Sequence, residues 1–193
     1  MKKIMFNDKY GLTQAVLEGR KTQTRRICKE QIWAHSDIVS AENGIYHFES
    51  PKYKVGEVVA VAQSYKDCGY SETALDISPK DYKTARGTLG ASKGWNNKMF
   101  VRADACKHQI RITDVRVERL QDISDVECLK EGIQKMLTGC EYYQYSFYDN
   151  DKGLWNNYKT PREAFAHLIN KVSKKGTWES NPYVWIYDFE RIK

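Results

Sequence analysis

The chain has 193 residues, 41% hydrophobic and 29% charged, with a net charge of +6. That is long enough to bury a sizeable core, and the composition excludes a disordered or fibrous protein. No apolar run approaches the roughly 18 residues that span a bilayer.

The start, Met1-Lys2-Lys3-Ile4-Met5-Phe6-Asn7-Asp8, lacks an apolar stretch of signal-peptide length, so a cytoplasmic protein with no membrane partner is expected. Five cysteines (Cys28, Cys68, Cys106, Cys128, Cys140) stand at irregular spacing without a Cys-x-x-Cys pair. An odd, scattered set argues against a disulfide framework and reads as buried thiols. Cys106 and His108 could supply two metal ligands, but no second pair lies at finger-like spacing. Neither a metal nor a cofactor is expected. The mild positive charge permits contact with phosphate without demanding it. Thirteen tyrosines and five tryptophans offer faces that stack on bases, at about 1–3 kcal/mol each, although filling a small core uses the same residues.

In chain order, Lys3 to Phe6 reads as a short strand. Leu12, Ala15 and Val16 then keep helical spacing, with Gly19 where a helix end favours glycine. Lys21 to Ile27 reads as a strand with Thr22, Thr24 and Arg26 on one face and Lys21, Gln23 and Arg25 on the other. Residues 28–50 form a polar insertion with one short strand near Ile45-Tyr46-His47-Phe48. Gly56 marks a turn before a buried strand, Val58 to Ala62. Residues 64–98 have no sustained period, as in a lid, a binding loop or a disordered excursion. Met99 to Arg102 reads as a strand, and so does His108 to Glu118. In the latter, Ile110 and Ile112 oppose Val115 and Val117 across a bulge near Thr113-Asp114.

Ser124-Asp125-Val126-Glu127 is a capping box opening a helix that ends near Glu131-Gly132. Residues 138–160 read as a third insertion. Thr160-Pro161-Arg162-Glu163 opens a second capped helix, carried by Phe165, Leu168, Ile169 and Val172 and ended by Gly176. Tyr183 to Ile192 is a last strand with one aromatic face (Tyr183, Trp185, Tyr187, Phe189). The expectation is a single α+β domain over 1–193, a mixed β-barrel of five to six strands with about three helices.

Gly19-Arg20-Lys21-Thr22-Gln23-Thr24-Arg25-Arg26, directly after a short helix, resembles the signature of ASCH domains, relatives of the PUA fold. The resemblance continues through Tyr53-Lys54-Val55-Gly56-Glu57-Val58, the stretch Ile112 to Ser124, and Asn181-Pro182-Tyr183-Val184-Trp185-Ile186. It covers roughly half the chain in order, and the larger phage-type members look most similar. It implies a PUA-like barrel with a cleft beside the first helix. Small bacterial members hydrolyse acetylcytidine with a Lys, a Thr and a Glu. Lys21 and Thr24 match the first two, and the third falls on Glu131, with Glu127 as the fallback. Arg20, Thr22, Arg25, Arg26 and Gln63 become candidates for nucleotide or RNA contact. Gln63 stands where the family is expected to carry an acidic group, and it can act neither as acid nor as base.

The expected function is binding of RNA or a modified nucleoside or nucleotide in a basic cleft, with stacking candidates at Tyr142, Tyr143, Tyr145, Phe147, Tyr148 and Trp155. An alternative is an amidohydrolase acting on N-acylated cytidine. There a threonine hydroxyl attacks, a desolvated lysine takes its proton, and a carboxylate orients the lysine or protonates the leaving amine. A second alternative is a ribonuclease in the same cleft. A purely structural account also exists: strand-forming threonines, a Lys21–Glu131 ion pair and a solvated arginine edge.

Overall fold

The computed structural model describes residues 1–28, 37–41, 44–48, 50–75, 87–139 and 142–193, and its architecture is mixed α+β. The chain clusters into two compact units.

The first unit comprises Met1–Phe6, Val58–Arg111 and Arg191–Lys193. Here β1 (Lys2–Ile4) runs parallel to β5 (Val58–Val61), with Lys3 opposite Ala60. β5 in turn pairs antiparallel with the start of β6 (Gln109–Arg119), Val59 opposite Ile110. β5 is almost wholly buried, as an unbroken apolar run between two strands requires. Beneath it Ala60, Tyr65, Leu89, Val101 and Cys106 form a core, flanked by Trp95.

The strand expected over Met99 to Arg102 is not formed. Lys98–Phe100 is a 3₁₀ turn in which the Asn97 side chain accepts from the Met99 amide. The Lys3 ammonium takes the carbonyls of Lys98, Met99 and Val101, at 3.0, 2.8 and 2.5 Å. Carbonyls that a strand would offer to a neighbour are thus drawn to one point.

The second unit comprises Asn7–Glu57 and Ile112–Glu190. Helix α1 (Leu12–Leu17) precedes β2 (Gln23–Ile27), and β3 (Asp37–Ala41) and β4 (Gly44–Phe48) pair as a hairpin where one strand was expected. The remaining elements are α2 (Asp125–Lys130), β7 (Gln134–Leu137), β8 (Tyr143–Asp149), β9 (Leu154–Tyr158), α3 (Pro161–Val172), α4 (Thr177–Ser180) and β10 (Tyr183–Arg191). Both expected capping boxes are present, Ser124 with Glu127 and Thr160 with Glu163. Gly176 does not end α3. The helix stops at Ser173, and Gly176, at φ 88°, opens α4.

Residues 138–160 contribute most of a sheet, β7-β8-β9, where only an insertion was expected. Its inner side packs on α3: Phe147 stacks on Tyr158 at 5.9 Å, and Tyr158 meets His167 at 4.8 Å. The strand order containing β6 reads β1-β5-β6-β10-β2. The described residues thus hold ten strands and four helices, against the five or six strands and three helices expected, and close no barrel. None of those helices is long and apolar enough to cross a membrane.

Candidate functional site

The segment Arg20 to Arg26 is positioned by local backbone chemistry first. α1 buries Leu12, Ala15 and Val16, and Gly19 adopts φ 75°. The amides of Arg20 and Lys21 then both donate to the Ala15 carbonyl at 2.9 Å. This folds the chain back before the strand starts. Thr22 donates its amide to the Lys130 carbonyl and accepts from the Phe189 amide, so β2 begins at Gln23, two residues later than its pattern predicts.

β2 pairs antiparallel with β10: Gln23 faces Asp188, Thr24 faces Tyr187, Arg25 faces Ile186 and Arg26 faces Trp185. Alternation sends Gln23 and Arg25 to one face and Thr24 and Arg26 to the other.

The first face is an ionic network, buried at Lys21, Arg25 and Glu131 and partly open around Arg116. Lys21 is 2% exposed, and its ammonium donates to the Gln23 carbonyl at 2.8 Å, the Glu131 carbonyl at 2.8 Å and Glu131 Oε2 at 2.6 Å. Those three contacts use all three of its protons. Glu131 is the C-cap of α2, where the Gly132 and Ile133 amides close on the Leu129 and Cys128 carbonyls. Gly132, at φ 107°, follows directly, and a side chain there would press on Leu12, 3.2 Å from its Cβ.

Arg25 is equally buried and donates from Nη1 to Glu131 Oε1 at 3.1 Å and to Gln23 Oε1 at 2.5 Å. Its Nη2 lies 3.3 Å from Glu127 Oε2 yet makes no hydrogen bond, so that contact is charge pairing alone. Gln23 donates to Asp188 at 2.8 Å. Arg116 binds Asp188 and Glu127, and reaches Asp114 at 3.1 Å and Glu118 at 2.8 Å.

Three cations (Lys21, Arg25, Arg116) therefore meet five carboxylates (Glu127, Glu131, Asp188, Asp114, Glu118). Burial draws the Lys21 ammonium below its ordinary pKa, and the Glu131 carboxylate opposes that fall. Partial burial works against the charged form of Glu127, but the Ser124 amide and Arg25 outweigh it and hold Glu127 at about 2. Burial also opposes the charge of Arg116, which Asp188 and Glu118 nonetheless hold above its usual pKa.

The second face is aromatic. Thr24 is buried beside Tyr187, whose ring meets Tyr53 edge-on at 5.3 Å and whose hydroxyl accepts from the Lys52 amide at 3.0 Å. Burial pushes Tyr53 up to about 12, against the nearby Arg26 charge. Arg26 is exposed and lies opposite the half-buried Trp185. One step along β10, the Arg119 guanidinium stands 3.8 Å from the centre of the half-buried Tyr183 ring, a close cation–π contact.

Of the expected residues, the structure brings together Lys21, Arg25 and Glu131, with Glu127 beside them. Thr24 and Arg26 lie on the opposite face of the strand. Arg20 is exposed and pairs with Glu18, 2.7 Å from its Nε. Thr22 is half-buried and tied by its backbone. Gln63 belongs to the first unit, buried, with an Oε1 that accepts no hydrogen bond.

Gln23 and Arg116 lie within the matched stretches but are not among the expected site residues, and Asp188 lies outside every motif. Asp114, Arg116 and Glu118 alternate along β6, a charge pattern that could have marked that face. Asp188 gives no signal among its aromatic neighbours. The stacking candidates divide: Phe147 is buried under α3, while Tyr142, Tyr143 and Trp155 are exposed. Trp155 rests 5.1 Å from Tyr148, and Tyr143 lies under the Lys135 ammonium at 3.9 Å. No group of three or more His, Cys, Asp or Glu among the described residues is placed to hold a metal ion. The chain matches no protein-family model, no curated protein and no solved structure.

Proposed function

We propose that the chain is an ASCH-type, PUA-like protein that binds RNA or a modified nucleotide on the Arg26 face of β2 and β10. The observation that carries this is the partition of the basic motif. Lys21 and Arg25 are neutralised inside an acid-rich network and offer little to a phosphate, whereas Arg26 is exposed opposite Trp185, with Arg119 laid on Tyr183 nearby. Guanidinium groups beside partly open aromatic rings are what a phosphate followed by a stacked base requires. The ordered motif resemblance supports the same reading.

The test is anisotropy of labelled single-stranded RNA titrated with the chain at several salt concentrations. Affinity is expected to fall linearly on logarithmic axes as salt rises. Absent binding, or binding that ignores salt, rejects the proposal.

The buried Lys21–Glu131 contact at 2.6 Å favours a second reading, hydrolysis of N-acylated cytidine. It brings two of the three implied groups together. Against it stand a lysine whose protons are all engaged and a threonine that alternation directs away from Gln23 and Arg25. Incubation with acetylcytidine, followed by chromatography for free cytidine, decides it. Release of cytidine that disappears in Lys21→Ala establishes this activity, and no release removes it.

A further inference from the structure

The charge of the chain is unevenly divided. The first unit, the smaller of the two, holds thirteen lysines and arginines against five aspartates and glutamates. The second holds the other eighteen of the 31 cations and the other twenty of the 25 anions. The first unit therefore stands at +8 and the second at −2. An excess of one sign on one compact body raises the local concentration of a partner of the opposite sign.

Three lysines of that unit are exposed without a carboxylate. Among its described acids, Asp67 accepts from the Ser64 hydroxyl at 2.6 Å, Asp104 pairs with Arg102, and Glu72 lies against Gly90. Lys66, Lys93 and Lys107 form no ion pair with any described carboxylate.

All three stand around one buried ring, that of Tyr65. The Tyr65 amide donates to the Gly94 carbonyl at 3.0 Å, and the Lys66 amide to the Trp95 carbonyl at 3.2 Å. Gly94 lies flat on Tyr65, since a Cβ there would fall 2.5 Å from the ring, and this fixes the backbone next to Lys93. Tyr65 also meets Tyr70 edge-on at 5.6 Å, and the Tyr70 hydroxyl donates to the Ala105 carbonyl at 3.0 Å. Two of the lysines then sit beside open aromatic rings. The Lys107 ammonium is 5.6 Å from the Tyr70 ring centre, and the Lys93 ammonium 5.7 Å from that of Phe100. Tyr70 is 37% exposed and Phe100 50%.

We propose that Lys66, Tyr70, Lys93, Phe100 and Lys107 form a surface of the first unit that binds single-stranded nucleic acid, the lysines on phosphates and the two rings on unpaired bases. Bases stacked within a duplex offer no face to a protein ring, so exposed rings select single strands. Each ring has an ammonium beside it, an alternation of charge and flat ring that matches a phosphate-linked base better than a bilayer. The surface lies wholly in the first unit and does not depend on Arg26 or Trp185, which belong to the second.

The test titrates labelled single-stranded oligouridylate with the whole chain at several salt concentrations. It compares wild type with Phe100→Ala and with a triple variant, Lys66→Gln, Lys93→Gln and Lys107→Gln. Each phosphate contact on a single strand contributes about 0.7 to the logarithmic salt slope, so the triple variant should lower it by about two. Phe100→Ala should weaken binding about five- to 150-fold with the slope unchanged, the contribution of one stacked base. Ultraviolet cross-linking of the wild-type chain to the same oligonucleotide should tag the peptides carrying Tyr70 or Phe100, and this readout decides the matter should a variant fail to fold. The proposal is overturned if the wild-type chain does not bind, if the triple variant keeps the wild-type slope, if Phe100→Ala binds as tightly as wild type, or if the cross-links fall on neither peptide. Binding to phosphatidylserine vesicles that the triple variant loses, with none to oligouridylate, overturns it in favour of a membrane surface. Arg26→Ala keeps the two readings apart. A slope that falls only in Arg26→Ala removes this surface and leaves the Arg26 face, and a slope that falls only in the triple variant does the reverse.

Discussion

The two faces of β2 carry neighbouring residues of one motif into opposite environments. On one side the buried Lys21, Gln23 and Arg25 join a network with the buried Glu131 and the half-buried Glu127, Asp188 and Arg116. On the other Thr24 and Arg26 meet Tyr187 and Trp185. A basic run in a sequence counts charges without showing which of them a ligand can reach. Here the buried cations Lys21 and Arg25 are matched by carboxylates and serve the fold, while Arg26 is exposed opposite Trp185.

The largest effect should come from breaking the buried face. Glu131→Ala strands the Lys21 ammonium and part of the Arg25 guanidinium in a dry site, and loss of one partner of a buried pair costs about 3–5 kcal/mol. Urea unfolding should register it as a lower midpoint with a similar slope. A change below about 1 kcal/mol, the range of exposed ion pairs, would show the network to be wet and erase the contrast. The double variant Lys21→Met with Glu131→Leu should lose less than the two single losses combined, because neither charge is then left alone.

The aromatic face should give smaller losses, and in binding. Trp185→Ala is expected to weaken single-stranded RNA by about 1–3 kcal/mol, the contribution of one stacked base. Arg26→Ala should leave stability within about 0.5 kcal/mol, as for an exposed substitution, while lowering the salt slope of RNA binding by about one. If Arg26→Ala instead destabilises the fold and leaves the salt slope unchanged, the two faces have been assigned the wrong way round.

A separate effect concerns acid. Glu127 titrates at about 2 in the folded chain, below the ordinary value of about 4.3. Its folded value is depressed, so its stabilising contribution is present above the ordinary value and disappears as pH falls from there toward 2. Glu127→Gln should flatten the stability profile within that window, as followed by unfolding at stepped pH. An unchanged profile would mean that Arg25 and Ser124 do not hold this carboxylate ionised.

Local chemistry is legible in the residue order. Ser124 and Thr160 announce their helices because a capping box satisfies backbone amides within one turn. The division of Thr24 and Arg26 from Gln23 and Arg25 follows from the two-residue period of a strand alone. Met99 to Arg102 defeats the same reasoning, since the Lys3 ammonium, distant in sequence, gathers the carbonyls that a strand would need. Residues 138–160 defeat it too, because their alternation becomes a sheet only when α3 covers Phe147 and Tyr158.

By itself, then, the order of residues determined which side chains share a face and where helices start, both consequences of interactions spanning a few residues. Only the tertiary structure decided which face would be neutralised. That outcome depends on Glu127 and Glu131 arriving from α2 and Asp188 from β10, carboxylates brought to Lys21 and Arg25 by chain folding rather than by any local pattern.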